Sequence, residues 1–118
     1  VKRRAPARAS EDRAYAALRA ELLPGTCDVC PPLIAAGLEL EQPVRLECAG
    51  RATELHHRRK RSSSGALANR DNVVRSCHDG NMAVEHYPLQ AEHAGLVVRE
   101  GHPEWDALSS RTWRLAQL

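Results

Sequence analysis

Two adjacent histidines, His56 and His57, stand near the start of ELHHRRKRSSSGALANRDNVVRSCHDGNMAVEH, which runs from Glu54 to His86. Imidazole titrates close to neutrality, so one ring of such a pair can bind a divalent cation while the other takes a proton from water. A base and a Lewis acid working together are what hydrolysis of a phosphodiester requires. Arg58, Arg59, Lys60 and Arg61 follow at once, and side chains of this kind grip phosphate oxygens, the guanidinium group with a fork of donors. Asn81 and Glu85 lie four residues apart, which places both on one face of a helix; with His56 they make a nitrogen and oxygen ligand set. His86, five residues from Asn81, rotates off that face and ranks below Glu85.

The thiols suggest a second metal. Cys27 and Cys30 form a C-x-x-C knuckle, Cys48 follows after seventeen intervening residues, and Cys77 comes just after a predicted strand. Four soft ligands are the number a closed tetrahedral zinc site needs, and such a site holds a fold together without doing chemistry. Two alternatives stay open: His78 in place of one cysteine, or no zinc, with Cys48 or Cys77 acting as a small buried apolar residue.

Residues 1–10 carry Lys2, Arg3, Arg4 and Arg8 and read as a basic flexible tail. Residues 11–118 read as one domain with its core over 27–90. Ser10 is placed to cap a helix over Glu11–Leu23, which Pro24 and Gly25 end. Residues 31–47, with Pro31, Pro32 and Gly37, read as an irregular insert. Arg51–His57 alternates as one strand, with Ala52, Glu54 and His56 on one face and Thr53, Leu55 and His57 on the other. Consecutive strand residues point opposite ways, so both imidazoles serve one site only if the strand bends at its end. Asn72–Ser76 is expected to return as a strand. Gly80–Glu85 and Leu89–Ala94 are expected to be helical, the second stopped by Gly95, and Trp113, Leu115 and Leu118 alternate as a closing strand.

The chain has 118 residues, two Trp, two Tyr and no Phe. A core so poor in large side chains is expected to be marginal without a metal or a cross-link. Net charge is only +2, so bulk electrostatics would not pick out a nucleic-acid binder. The composition of the positive charge says more, because fifteen of the seventeen basic residues are Arg. No apolar run reaches membrane-spanning length and no signal-peptide core is present. The expected setting is cytoplasmic, where thiols stay reduced and favour metal over disulfide.

Taken together, these residues resemble the HNH endonucleases, in particular the small zinc-stapled enzymes of phage and mobile elements. The resemblance covers the chain from about Cys27 onward, and its motif letters fall on His57, Asn72 and Asn81, with His56 before the first. It implies an α+β domain of the ββα-metal type, a hairpin and a helix around one cation, with flanking helices and a structural zinc. It also implies that His57 activates water, that His56 and Asn81 hold one Mg2+ or Mn2+ ion, and that Asn72 ties the loop to the base. The expected activity is hydrolysis of DNA phosphodiesters leaving 5′ phosphates; the alternative is a non-catalytic zinc-stapled DNA-binding module descended from such a nuclease. Two positions depart from the pattern. Gly80 stands where a second Cys-x-x-Cys normally ends, which leaves Cys48 as the replacement ligand, and Glu85 stands where many relatives carry histidine, which favours a harder cation.

Overall fold

A computed structural model of the chain describes residues 6–118; Lys2, Arg3 and Arg4 of the expected tail lie outside the described residues. Helix α1 spans Pro6–Leu22, so residues 6–10 of that tail are helical. The Ala-rich sequence favours this, and Pro6 heads the helix at a position where a missing N–H costs nothing. Ser10 therefore lies inside the helix and does not cap it.

The expected single strand over Arg51–His57 is two short ones. Gly25–Thr26 (β1) pairs antiparallel with Arg51–Ala52 (β2), and Glu54–His57 (β3) pairs antiparallel with Val73–Ser76 (β4). The chain changes partner at Thr53, whose N–H still reaches the Ser76 carbonyl at 3.0 Å. This switch draws the knuckle onto the second hairpin: Cys27 N–H bonds to Gly50 O at 3.1 Å, and Asp28 N–H bonds to Arg75 O at 2.8 Å.

The insert after the knuckle is not irregular. Helix α2 spans Cys30–Glu39, with prolines in its first turn, where no intrahelical donor is lost. Gly37 lets the chain fold back on this helix, since a Cβ there would lie 2.9 Å from Gln42 O and from Val44 N. Helix α3 (His78–His86) follows β4 directly, capped by the Cys77 side chain, and Pro88–His93 forms α4.

The closing segment is a helix, α5 (Ser110–Ala116), and not a strand. Ser109 Oγ accepts from Thr112 N–H at 3.0 Å, a capping geometry that outweighs the alternation of apolar residues. That alternation buries little, for Leu115 and Leu118 are exposed.

The result is a small α+β domain of five helices and two two-stranded sheets among the described residues. Its core is centred on the thiols: Cys27, Cys30 and Cys77 are buried together with Val29, Leu33, Ala83, Val84, Ala91, Leu96 and Val97. The last three extend the core beyond the expected limit at residue 90. Among the described residues, no helix is long and apolar enough to cross a membrane.

Candidate functional site

The four cysteine sulfurs lie within 4.8 Å of one another. Cys30 Sγ is 3.6 Å from both Cys27 Sγ and Cys77 Sγ. The edge of a tetrahedron with zinc–sulfur bonds of about 2.3 Å is roughly 3.8 Å, so the cluster is positioned to bind a structural Zn2+. Backbone amides already point at the sulfurs. Cys77 N–H reaches Cys27 Sγ at 3.3 Å, Gly80 N–H reaches Cys77 Sγ at 3.2 Å and Gly50 N–H reaches Cys48 Sγ at 3.3 Å. At Cys27, burial opposes ionisation, but amides of Cys30, Cys77 and Val29 outweigh it and bring the thiol down to about 7. Burial, with the neighbouring Cys48, Cys77 and Cys27 sulfurs, pushes the Cys30 thiol up. Several thiolates crowded in a buried space need a cation beside them.

Gly80, the departure noted in the sequence, has a steric reason. A Cβ at this position would lie 2.8 Å from Cys30 Sγ and 3.0 Å from Ser76 Oγ. The fourth sulfur comes instead from exposed Cys48 in the loop after α2. His78 is not part of the cluster and turns outward to Glu54. Gly80→Ala is expected to displace Cys30 Sγ. Overpacking of this kind costs about 1–3 kcal/mol, roughly a 5- to 150-fold loss if it falls on metal affinity. Competition with a chromophoric chelator measures it, and an unchanged affinity would remove the steric account.

The nitrogen and oxygen residues gather on the α3 side of the second hairpin. His56 is buried, and its Nε2 lies 2.5 Å from Leu96 O. A carbonyl only accepts, so Nε2 carries the proton and Nδ1 keeps its lone pair. Burial lowers the His56 pKa, while the Leu96 carbonyl, the Asn81 side chain and the Glu85 carboxylate pull the other way. Asn81 is therefore beside His56, and its Nδ2 donates to Glu54 Oε2 at 2.8 Å. Glu54 uses its other oxygen to hold His78 Nδ1 at 2.9 Å. His78, followed by Asn81, holds the Glu54 carboxyl below its ordinary range, and Glu54 raises the exposed His78 in return. Glu54 was not among the expected site residues, although it shares a strand face with His56. Glu85 is exposed and pairs with Lys60 at 3.4 Å.

His57 lies on the other face of β3. The ladder runs regularly through His56↔Val74 and His57↔Val73, with no bulge to turn the two rings together. The His57 ring packs against Tyr15 of α1, with centroids 5.5 Å apart. Its Nε2 donates to Leu67 O at 3.1 Å, so here too Nδ1 is the acceptor nitrogen. Burial is the main cause of its lowered pKa.

Asn72 is fully buried and clasps both ends of the loop that follows His57. Its Oδ1 accepts from Arg59 N–H at 2.7 Å, and its Nδ2 donates to Arg59 O at 3.1 Å and Ala66 O at 2.8 Å. The basic run within that loop is largely committed to the protein. Arg58 bonds to Gly95 O and Asp71 O and pairs with Glu104 at 2.6 Å. Arg59 is buried, donates to Ser63 O and Trp105 O, and stacks 3.7 Å over the Trp105 ring. Arg61 opens a short 3-10 turn and points into a basic cavity.

No protein-family model, curated protein or solved structure matches the chain.

Proposed function

We propose that the chain is a metal-dependent endonuclease that hydrolyses DNA phosphodiester bonds, with a zinc-stapled hairpin and helix similar to those of the HNH enzymes. One observation carries this reading: His56 and His57, neighbours in β3, each donate Nε2–H to a backbone carbonyl, which leaves one Nδ1 lone pair on each face at the end of the strand. A ring held in this way is the arrangement of a metal-ligating or base histidine, with tautomer and orientation fixed by the second nitrogen.

The donor set on the α3 side fits a hard divalent cation, with His56 Nδ1, the Asn81 carboxamide oxygen and the Glu85 carboxylate as the holding groups. When bound, Mg2+ or Mn2+ supplies charge neutralisation on the phosphate and the leaving oxygen. The phosphate would have to lie across the end of β3, where both faces meet; there His57 Nδ1 takes a proton from water as that water attacks phosphorus, and the 3′ oxygen departs, leaving a 5′ phosphate. Leu67 O stabilises the imidazolium through the bond to Nε2, and Asn72 keeps the loop carrying Arg61 in register with the strand. Lys60 can leave Glu85 for phosphate at little cost, because both groups are largely exposed.

The test is supercoiled plasmid incubated with zinc-loaded protein and Mg2+, Mn2+ or no added divalent ion. Nicking in either metal and none without added ion is expected. A second reading, a non-catalytic zinc-stapled DNA-binding module, is favoured by the opposite facing of the two imidazoles and by the Tyr15 ring against His57. Retarded plasmid without nicking in any divalent ion would select it.

A further inference from the structure

A cavity of about 480 Å3 opens beside the His57 face of β3, where α1, the loop after β3 and α5 meet. Five guanidinium groups line it, those of Arg8, Arg59, Arg61, Arg111 and Arg114, against the carboxylates of Glu11 and Asp106. The excess is three positive charges, five minus two. Arg59 is committed to Trp105 and Ser63, as described above. Glu11 is buried and already accepts from Leu67 N–H at 2.9 Å and Ser110 Oγ at 2.5 Å, with Arg114 3.9 Å away. Among the described residues, Arg8, Arg61 and Arg111 have no carboxylate partner. The sequence separates them by fifty residues and more, yet the fold turns all three into one concavity. Like charges gathered there repel unless an anion sits between them, and planar forks suit phosphate oxygens.

We propose that this cavity seats backbone phosphates of the bound nucleic-acid strand, held by Arg8, Arg61 and Arg111 next to the phosphate that His57 faces. The proposal rests on the nuclease reading for the identity of the strand. Its link to the reaction is Leu67, which lines the cavity and whose carbonyl holds His57 Nε2. A substrate phosphate in the cavity is thus one residue removed from the base. The volume, larger than a single phosphate group needs, suits a continuing strand more than a free ion.

The experiment is binding of a fluorescein-labelled 20-base-pair duplex across a salt series in buffer without added Mg2+ or Mn2+, so that no cleavage intervenes. The zinc-loaded protein is compared with Arg61→Gln/Arg111→Gln and with Arg99→Gln, whose guanidinium pairs with Glu92. Each lost phosphate contact reduces the slope of log K against log salt by about 0.9. The double variant is therefore expected to lose about 1.8 of slope, with Arg99→Gln unchanged. Circular dichroism and zinc content establish that each variant is folded. A folded double variant with the wild-type slope overturns the proposal, as does wild-type protein without salt-dependent binding. Unchanged duplex binding with a loss confined to anionic phosphatidylserine vesicles overturns it as well. Altered slope with no plasmid nicking keeps the cavity and removes the nuclease reading; nicking with unaltered slope does the reverse.

Discussion

Stripping the metal from the four-cysteine cluster is expected to unfold the domain. The largest fully buried side chains are Leu33, Leu108 and Val29, and no Phe is present to enlarge the core. Three of the four thiols lie at the centre of that core, bridging the knuckle at the start of α2 to the cap of α3. Structural zinc contributes an apparent binding free energy of about 10–16 kcal/mol at pH 7. Whole domains are stable by only about 5–15 kcal/mol. Removing the ion therefore takes away a quantity as large as the stability itself and leaves nothing to bridge the knuckle to α3. Cys30→Ser, at a fully buried position, is expected to abolish cooperative melting at 25 °C. Cys48→Ser is expected to be milder, because that residue is exposed and three sulfurs remain. The measurement is thermal melting by circular dichroism with and without a high-affinity chelator, beside metal analysis of the untreated protein. A transition that chelation does not move, in protein that carries no metal, would show that the core stands without it.

The sequence made the chemistry visible more readily than the geometry. The C-x-x-C knuckle, the paired histidines and the hairpin leading into a helix follow from residue type and period, and the structure has a knuckle, a hairpin and a helix there. What escaped was decided by distant partners. Arg51–His57 alternates as one strand, but the exchange of β1 for β4 at Thr53 depends on where residues 25–26 and 76 lie. Pro31 and Pro32 look like helix breakers, yet in the first turn of α2 they break nothing. The basic run after His57 reads as four side chains free to grip phosphate. Arg58 and Arg59 are instead held by Gly95 and Trp105, thirty-seven and forty-six residues away, and no local pattern encodes such bonds. Glu54 could have been found, since it lies two residues before His56 on the same strand face. Nothing in the spacing, however, said that its carboxylate would hold Asn81.

Replacing His57 by glutamine is expected to lower DNA cleavage by about two to four powers of ten, the usual worth of a positioned general base. Glutamine keeps much of the bulk against Tyr15 and can still donate to Leu67 O, so zinc content and duplex binding should stay near those of the wild type. The comparison separates a lost base from a lost fold, which alanine at this half-buried position would not do as cleanly. The pH dependence has a definite sign. Burial lowers the folded pKa of His57 from its ordinary 6.5. The neutral ring therefore contributes stability that is present above 6.5 and is lost as pH falls through the lower, folded value. The acid limb of cleavage should accordingly lie below 6.5, and His57→Gln should flatten it while leaving residual activity. His56 shifts in the same direction and for the same first reason, so acid weakens the ligand and the base together. A glutamine variant that nicks plasmid at the wild-type rate and keeps the same acid limb would mean that the proton goes elsewhere. The Nδ1 lone pair opposite Leu67 would then be an ordinary feature of a packed imidazole.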